Sequence, residues 1–200
     1  MLKDFNSAIK ERRTYYSIGK QSGVSEAQIS KALEEAVLRT PSAFNSQSGR
    51  VVLLLGGHHD KLWNIVKETL RAVIPADNFQ PTEDKIDHSF SAGSGTVLFF
   101  DDTNITKGLQ EKFPLYRDNF PIWAQQSNGM LQLITWIALE NEGLGASLQH
   151  YNPLIDDAVK KQWQIPDSWQ LIGQMPFGTP SGPPDAKEFQ PVGDRLKIFK

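Results

Sequence analysis

The sequence predicts one α/β or α+β domain with a substantial core. Three observations carry that expectation. Two hundred residues suffice for a single core of ordinary size, or for two very small ones. Arg50–Leu55 and Thr96–Phe100 read as buried strands set among segments of helical period. No internal repeat or low-complexity linker divides the chain, so residues 1–200 are expected to form a single domain.

Within residues 3 to 13, Phe5, Ala8 and Ile9 stand at helical spacing, and Lys10, Arg12 and Arg13 fall in the last turn, where cations suit the helix dipole. Thr14, Tyr15 and Tyr16 then favour extended chain. Gln21-Ser22-Gly23 is a turn, and Ser25-Glu26-Ala27-Gln28 is a capping box. The helix it opens has Ile29, Ala32, Leu33, Ala36 and Val37 as its core face, and Pro41 ends it by disfavouring helical backbone at Thr40. A loop rich in amides and hydroxyls, Pro41–Gly49, leads into the first strand, which Gly56-Gly57 closes. A helix from about Asp60 to Val73 buries Leu62, Ile65, Val66 and Leu70. Residues 75 to 92 hold two prolines, four acids and no sustained period, so a loop or short helical piece is expected. After the second strand a short helix is predicted around 104 to 112. Pro121 to Glu142 is the longest helical pattern, and its middle is apolar on nearly every face, which predicts burial on all sides in a core or a subunit interface. Gly143-Leu144-Gly145 stops it. A helix over 154 to 162 and a strand over Trp169–Met175 follow. The proline- and glycine-rich tail ends in Arg195-Leu196-Lys197-Ile198-Phe199, which alternates like an edge strand, and such an arm often crosses to a partner subunit.

Composition narrows the function classes. The apolar fraction of 39% and charged fraction of 22% are ordinary for a globular enzyme. With 21 basic and 23 acidic residues the net charge is -2, so no global field recruits nucleic acid or an anionic membrane, and any anion site is local. Without cysteine, disulfide scaffolds, thiolate zinc sites and thiol chemistry are excluded; if electrons move here, a cofactor carries them. The amino terminus lacks a signal-peptide core and no run approaches about 18 apolar residues, so a cytoplasmic protein is expected. There is no GxxxxGK(S/T) and no GxSxG, and Gly93-Ser94-Gly95 precedes a strand instead of following one. His58-His59-Asp60 invites a metal reading, but neighbouring histidines on a helix do not share a face and no second cluster completes a shell, so a solvated helix start is expected. Glu83, Asp84 and Asp87 read as a wet loop. Trp63, Trp123, Trp136, Trp163 and Trp169 are expected mostly in the core, with one available to a planar ligand.

Glu11-Arg12-Arg13-Thr14-Tyr15-Tyr16 sets two permanent positive charges side by side, then a hydroxyl, then two phenols, where the first helix stops. Adjacent helical residues point about 100° apart, so both arginines serve one ligand only where the helix ends or the ligand is large. A long, anionic, partly aromatic ligand meets that condition. Taken alone, arginines in a last turn also serve as surface partners of the helix dipole, and Ser42–Ser48 is also an ordinary polar connection. The two stretches gain meaning in order with Leu144-Gly145-Ala146-Ser147-Leu148-Gln149 and the basic carboxyl tail. That ordered set resembles the nitroreductase family of FMN-dependent oxidoreductases over almost the whole chain, and within it a small divergent branch of about this length.

The resemblance implies an α+β sandwich, a mainly antiparallel central sheet flanked by helices, assembled as a homodimer with a domain-swapped C-terminal arm, helix 121 to 142 at the interface and FMN between subunits. By the same resemblance Arg12, Arg13 and Thr14 hold the phosphate and ribityl chain, with one basic side chain reaching the pyrimidine edge of the flavin. Ser42, Asn45 and Gln47, following Pro41, bond the flavin or its ribityl from the other subunit. Leu148, Gln149 and His150 lie by the pyrimidine and N5 side of the ring. A basic tail residue reaches the phosphate: Arg195 first, with Lys187 and Lys197 behind it. Arginine's fork matches phosphate oxygens in pairs, and a cation near the ring favours its anionic reduced form. Tyr16 stands where better-known members carry an arginine, so a guanidinium contact there is lost or replaced by phenol stacking. The implied activity is hydride transfer in alternation, from NADH or NADPH to FMN and then to a nitroaromatic or quinone acceptor, with no acid or base side chain required. Two other readings remain: a flavin-binding regulatory or sensor module with little turnover, and a dimeric interaction protein without cofactor, in which Arg12 and Arg13 only decorate the surface.

Overall fold

Val97, Leu98, Phe99 and Phe100 are all fully buried. A strand buried on both faces requires a covering layer on each side, and that requirement organises the chain. The computed structural model describes residues 4–20 and 23–200; Lys3 of the expected first helix, and Gln21 and Ser22 of the expected turn, lie outside the described residues.

The strands are β1 (Ile18–Gly19), β2 (Gly49–Leu55), β3 (Gly95–Asp102), β4 (Gly145–Ala146) and β5 (Trp169–Pro180). They form one sheet in the order β1-β5-β3-β2, with β4 adding to β5, and every ladder is antiparallel. Seven α-helices flank it among the described residues: α1 (Phe5–Glu11), α2 (Glu26–Arg39), α3 (Gly57–Arg71), α4 (Ala76–Lys85), α5 (Thr103–Lys112), α6 (Phe120–Asn141) and α7 (Asp156–Trp163). Alternation along β2 and β3, with a bulge in β5 opposite Phe99 and Phe100, separates two cores. Leu54, Leu98, Phe100 and Leu171 meet Leu62, Trp63 and Val66 of α3, Phe79 of α4 and Val159 of α7. Val97, Phe99, Met175 and Phe177 meet Ile29 and Leu33 of α2 and Leu131 and Leu139 of α6. The result is the α+β sandwich that the sequence predicts.

Helix starts follow local chemistry. The Asp4 carboxylate accepts from the N–H groups of Asn6 and Ser7 at the start of α1, and Ser25 with Gln28 forms the complete capping box at the start of α2. No helix among the described residues is long and apolar enough to cross a membrane.

Residues 75 to 92 take the helical one of the two expected forms: α4 runs into a π-helical turn, Ile86–Phe90. Phe79, Ile86 and Phe90 are buried, and their spacing of seven and four is a helical stripe that Pro81 and the surrounding acids obscure. Within one chain the long α6 keeps an apolar part uncovered, with Ile122 and Leu133 56% and 48% exposed. Its buried side instead carries polar groups with partners: Asn128 donates to the Phe100 carbonyl at 3.0 Å and Gln132 donates to Asn128 at 2.7 Å. Within this chain Arg195–Phe199 pairs with no strand. A 3₁₀ turn at Val192–Asp194 is followed by irregular chain in which Phe199 is 94% exposed.

Since Phe99 fills the core between β3 and α6, Phe99→Ala is expected to destabilise the protein by about 4 kcal/mol. Urea unfolding followed by tryptophan fluorescence measures this.

Candidate functional site

At the end of α1 the Arg12 N–H still bonds the Ala8 carbonyl, but its backbone turns out of the helix at ψ 117. The chain then runs extended beside β4: Thr14 bridges Ala146 in parallel, and the Tyr15 N–H donates to the Ala146 carbonyl at 3.0 Å. This approach needs Gly145, because a Cβ there would stand 2.8 Å from the Tyr15 ring. The two arginines leave the helix end in different company. Arg13 donates to the Asp185 carbonyl. The Arg12 guanidinium lies 4.5 Å over the Trp136 ring; burial pulls its pKa down, Glu140 opposes that pull, and Arg13 adds to it. Trp136 and Glu140 stand one turn apart on α6, on the same side of the helix.

A pocket of about 250 Å³ opens between this stretch and the tail, lined by Arg12, Arg13, Thr14, Tyr16, Asp185, Ala186 and Lys187. Of Arg195, Lys187 and Lys197, Lys187 lines it within this chain and the other two do not. Two guanidiniums, one ammonium and two hydroxyls outweigh the single Asp185 carboxylate, a donor set that suits a phosphate group.

The segment after β4 continues along β5. Gln149 exchanges both backbone hydrogen bonds with Gln174, at 2.7 and 2.9 Å. The buried Gln174 amide accepts from the Tyr151 N–H at 2.8 Å and donates to Asn152 at 3.3 Å. Leu148, Gln149 and His150 crowd around Gly173, where a Cβ would meet all three at 3.4 to 3.6 Å. Tyr151 closes the set: burial, then the neighbouring Tyr16 phenol, pushes its hydroxyl pKa up. The extended stretch after Arg12 and the segment 148 to 150 therefore meet, through β4 and through this tyrosine pair.

Ser42, Asn45 and Gln47 are elsewhere. Ser42 and Gln47 line a different pocket of about 310 Å³ with Arg50, Leu131 and Trp169, and no residue lines both pockets. Their loop carries three non-glycine residues in the left-handed region, Phe44 (φ 56), Asn45 (φ 51) and Gln47 (φ 48), at roughly 1–2 kcal/mol each. Anchors hold it there. Phe44 stacks on Trp123 at 5.9 Å and packs edge-on against Phe120 at 5.3 Å. The Gln47 N–H donates to the Ser42 hydroxyl at 2.9 Å, and Arg50 donates to the Gln47 carbonyl at 2.6 Å. Strain maintained in this way marks a loop shaped for a task.

His59 does not form a solvated helix start; its side chain is 1% exposed. Its Nε2 faces the Ser91 carbonyl at 3.2 Å, so that nitrogen carries the proton, and Nδ1 faces the Thr96 hydroxyl at 2.8 Å, which also receives the Trp63 N–H at 3.0 Å. One ring nitrogen holds α3 to β3 through Thr96, and the other holds it to the end of the π turn through Ser91. Among the described residues no group of three or more His, Asp or Glu side chains could hold a metal ion. Glu140, Asp185 and Tyr151 carry no motif that marks them in the sequence, and nothing there distinguishes Trp136 from the other four tryptophans. The immediate succession of Tyr151 to His150 was the available clue for one of them.

A three-layer α+β sandwich with a cationic pocket beside β4 and a strained polar loop defines a nitroreductase-type oxidoreductase fold. The nitroreductase family model matches residues 9–179, and the chain belongs to that family. It is 37% identical to HBN1 of Saccharomyces cerevisiae over 190 residues, 94% of this chain and 93% of that one. It is 34% identical to the nitroreductase FRM2 of the same organism over 188 residues, 93% of each. Structures of the nitroreductase CinD from Lactococcus lactis in complex with chloramphenicol, 4-nitrophenol or nicotinic acid superpose with a TM-score of 0.89 at 44% identity, covering 98% of this chain and 100% of that one.

The buried imidazole of His59 yields a pH dependence of stability. Burial lowers its pKa below the unfolded value of 6.5, so the unfolded chain takes up a proton that the folded protein does not. Its contribution is present above about pH 6.5 and is lost as pH falls from there through the folded pKa. Urea midpoints between pH 8 and pH 5 are expected to decline, and to decline less steeply in His59→Gln.

Proposed function

We propose that this protein is an FMN-dependent NAD(P)H oxidoreductase acting on small aromatic acceptors. The single observation that supports it most is the pocket of Arg12, Arg13, Thr14, Tyr16 and Lys187, contiguous through β4 with Leu148, Gln149 and His150. The donors suit a phosphate, and the adjoining strand segment offers backbone groups and small-residue clearance at Gly173 for something flat. FMN joins those two requirements in one molecule. When bound, it supplies hydride transfer in alternation, accepting from NADH or NADPH and then donating to a nitroaromatic or quinone. The aromatic ligands held by CinD favour acceptors of that size.

The residues of this chain perform binding and electrostatics. Arg13, tethered to the Asp185 carbonyl, and Lys187 take the phosphate. Arg12, stacked on Trp136 and coupled to Glu140, adds a fixed positive charge whose cost of burial is met by those neighbours, not by the ligand. Thr14 hydrogen-bonds the ribityl, and Leu148, Gln149 and His150 flank the ring. Ser42, Asn45 and Gln47 serve the site of a second copy, with FMN between subunits. The exposed apolar residues of α6 and the exposed Leu196, Ile198 and Phe199 of the tail supply the surface and the arm for such a homodimer.

Charge-assisted hydrogen bonds contribute roughly 1.5–3 kcal/mol each, or about ten- to a hundredfold in affinity. Arg13→Ala and Lys187→Ala are therefore expected to weaken FMN binding by that range, whereas Arg195→Ala leaves it unchanged; quenching of flavin fluorescence on titration reads all three. Anaerobic addition of NADH should bleach the bound flavin near 450 nm (about the usual flavin band), and a nitroaromatic or quinone should restore it. A protein that binds no FMN sinks the proposal, and one whose flavin stays oxidised favours the sensor reading.

A further inference from the structure

The last residue of α4, Lys85, stands just before the π turn at the rim of the Arg12 pocket, with no carboxylate of its own among the described residues. Lys85 Nζ stands 5.4 Å from the centre of the Tyr16 ring and 5.9 Å from that of Phe90. The acids beside it are committed elsewhere. Glu83 pairs with Arg71 at 2.7 Å, Asp87 pairs with Lys67 at 2.7 Å, and Asp84 accepts from Gln80 at 2.9 Å. None of the ion pairs among the described residues includes Lys85. Tyr16 lines the pocket, remains 37% exposed, and tilts against the fully buried Phe90 at 6.2 Å. Phe90 in turn meets Tyr151, the residue after His150, edge-on at 6.3 Å. Two phenols, one from each segment of the site, thus share a buried ring as backing, and a cation overhangs the exposed one. The ammonium is attracted to the ring faces, and its three N–H donors exceed what those faces occupy.

We propose that this shelf binds a planar aromatic anion, an acceptor of the benzoate or phenolate type, with its ring against Tyr16 and its charged oxygen on Lys85. The inference rests on the oxidoreductase reading, because the shelf adjoins the segment assigned to the ring of FMN. Cationic and aromatic groups side by side select such a ligand over a neutral one of equal shape, and the selection is carried by one side chain. A negatively charged edge of the flavin itself is the other source of the same chemistry, and the experiment separates the two.

Isothermal titration of the FMN-loaded protein with 4-nitrobenzoate and with 4-nitrobenzamide, in wild type, Lys85→Met and Lys85→Arg, reads the selection without turnover. The preference for benzoate over benzamide is expected to fall about fivefold in Lys85→Met, the scale of one exposed ion pair, to persist in Lys85→Arg, and to shrink with added salt. A preference identical in all three proteins overturns the proposal. So does a Lys85→Met protein that loses FMN affinity by flavin fluorescence while the preference stays, which assigns Lys85 to the cofactor. Failure of the oxidoreductase reading shows separately, as a protein that binds no FMN or leaves NAD(P)H unoxidised. The same two ligands are then titrated on the flavin-free protein, with the same results deciding for or against the shelf.

Discussion

Strand β5 is the constraint on which the rest depends. It pairs with β3 along most of its length and with β4 and β1 near its end, and it receives the isolated bridge from Gln149. Its hydrogen bonds therefore fix both the middle of the core and the segments that carry the site. The spacing is tight enough to require glycine: a Cβ on Gly178 would lie 2.5 Å from the Gly19 carbonyl oxygen, and one on Gly93 would lie 2.6 Å from that of Phe177. A bulge at Ile172, opposite Phe99 and Phe100, switches the face of β5, so the same strand sends Leu171 into one core and Met175 and Phe177 into the other. Site and core share one backbone, so rigidity in the core becomes precision at the site.

The arginine pair illustrates how a local charge is managed in a chain of near-zero net charge. Two guanidiniums in sequence repel, and partial burial makes that worse. The fold separates their roles: Arg12 is turned onto Trp136 within the influence of Glu140, and Arg13 toward a backbone carbonyl of the tail. The pocket thereby keeps a positive potential without an unpaired buried cation. Its tail wall is drawn in by the Arg13 contact with Asp185, and that contact brings Lys187 close while leaving Arg195 outside.

The loop 42 to 47 follows a different logic. Three left-handed non-glycine residues are costly, and the aromatic cluster around Phe44 with the bonds of Ser42 and Arg50 holds them. Since this loop stands in its own pocket, apart from Arg12, its polar side chains gain a purpose in the proposed dimer, where one chain supplies the loop and the other the arginines.

Most of the fold was legible because burial and period are local properties. The apolar runs around Val97–Phe100, the capping box at Ser25 and the helical stripes of α2 and α3 each follow from side chains a few residues apart. The α4 segment was obscured because Pro81 and its acids hide a stripe of only three apolar residues. Alternation in Arg195–Phe199 indicates a capacity to pair, and within one chain the segment pairs with no strand. For the site, residue types alone pointed to Arg12, Arg13 and Thr14 as anion ligands, and the order of motifs pointed to the family. Spatial convergence was decided only in the tertiary structure. The Tyr15–Ala146 bond, the placement of Lys187 at the Arg12 pocket, and the meeting of Lys85, Tyr16 and Tyr151 around Phe90 all join residues far apart in sequence, and no local rule of spacing or propensity encodes which distant surfaces will meet.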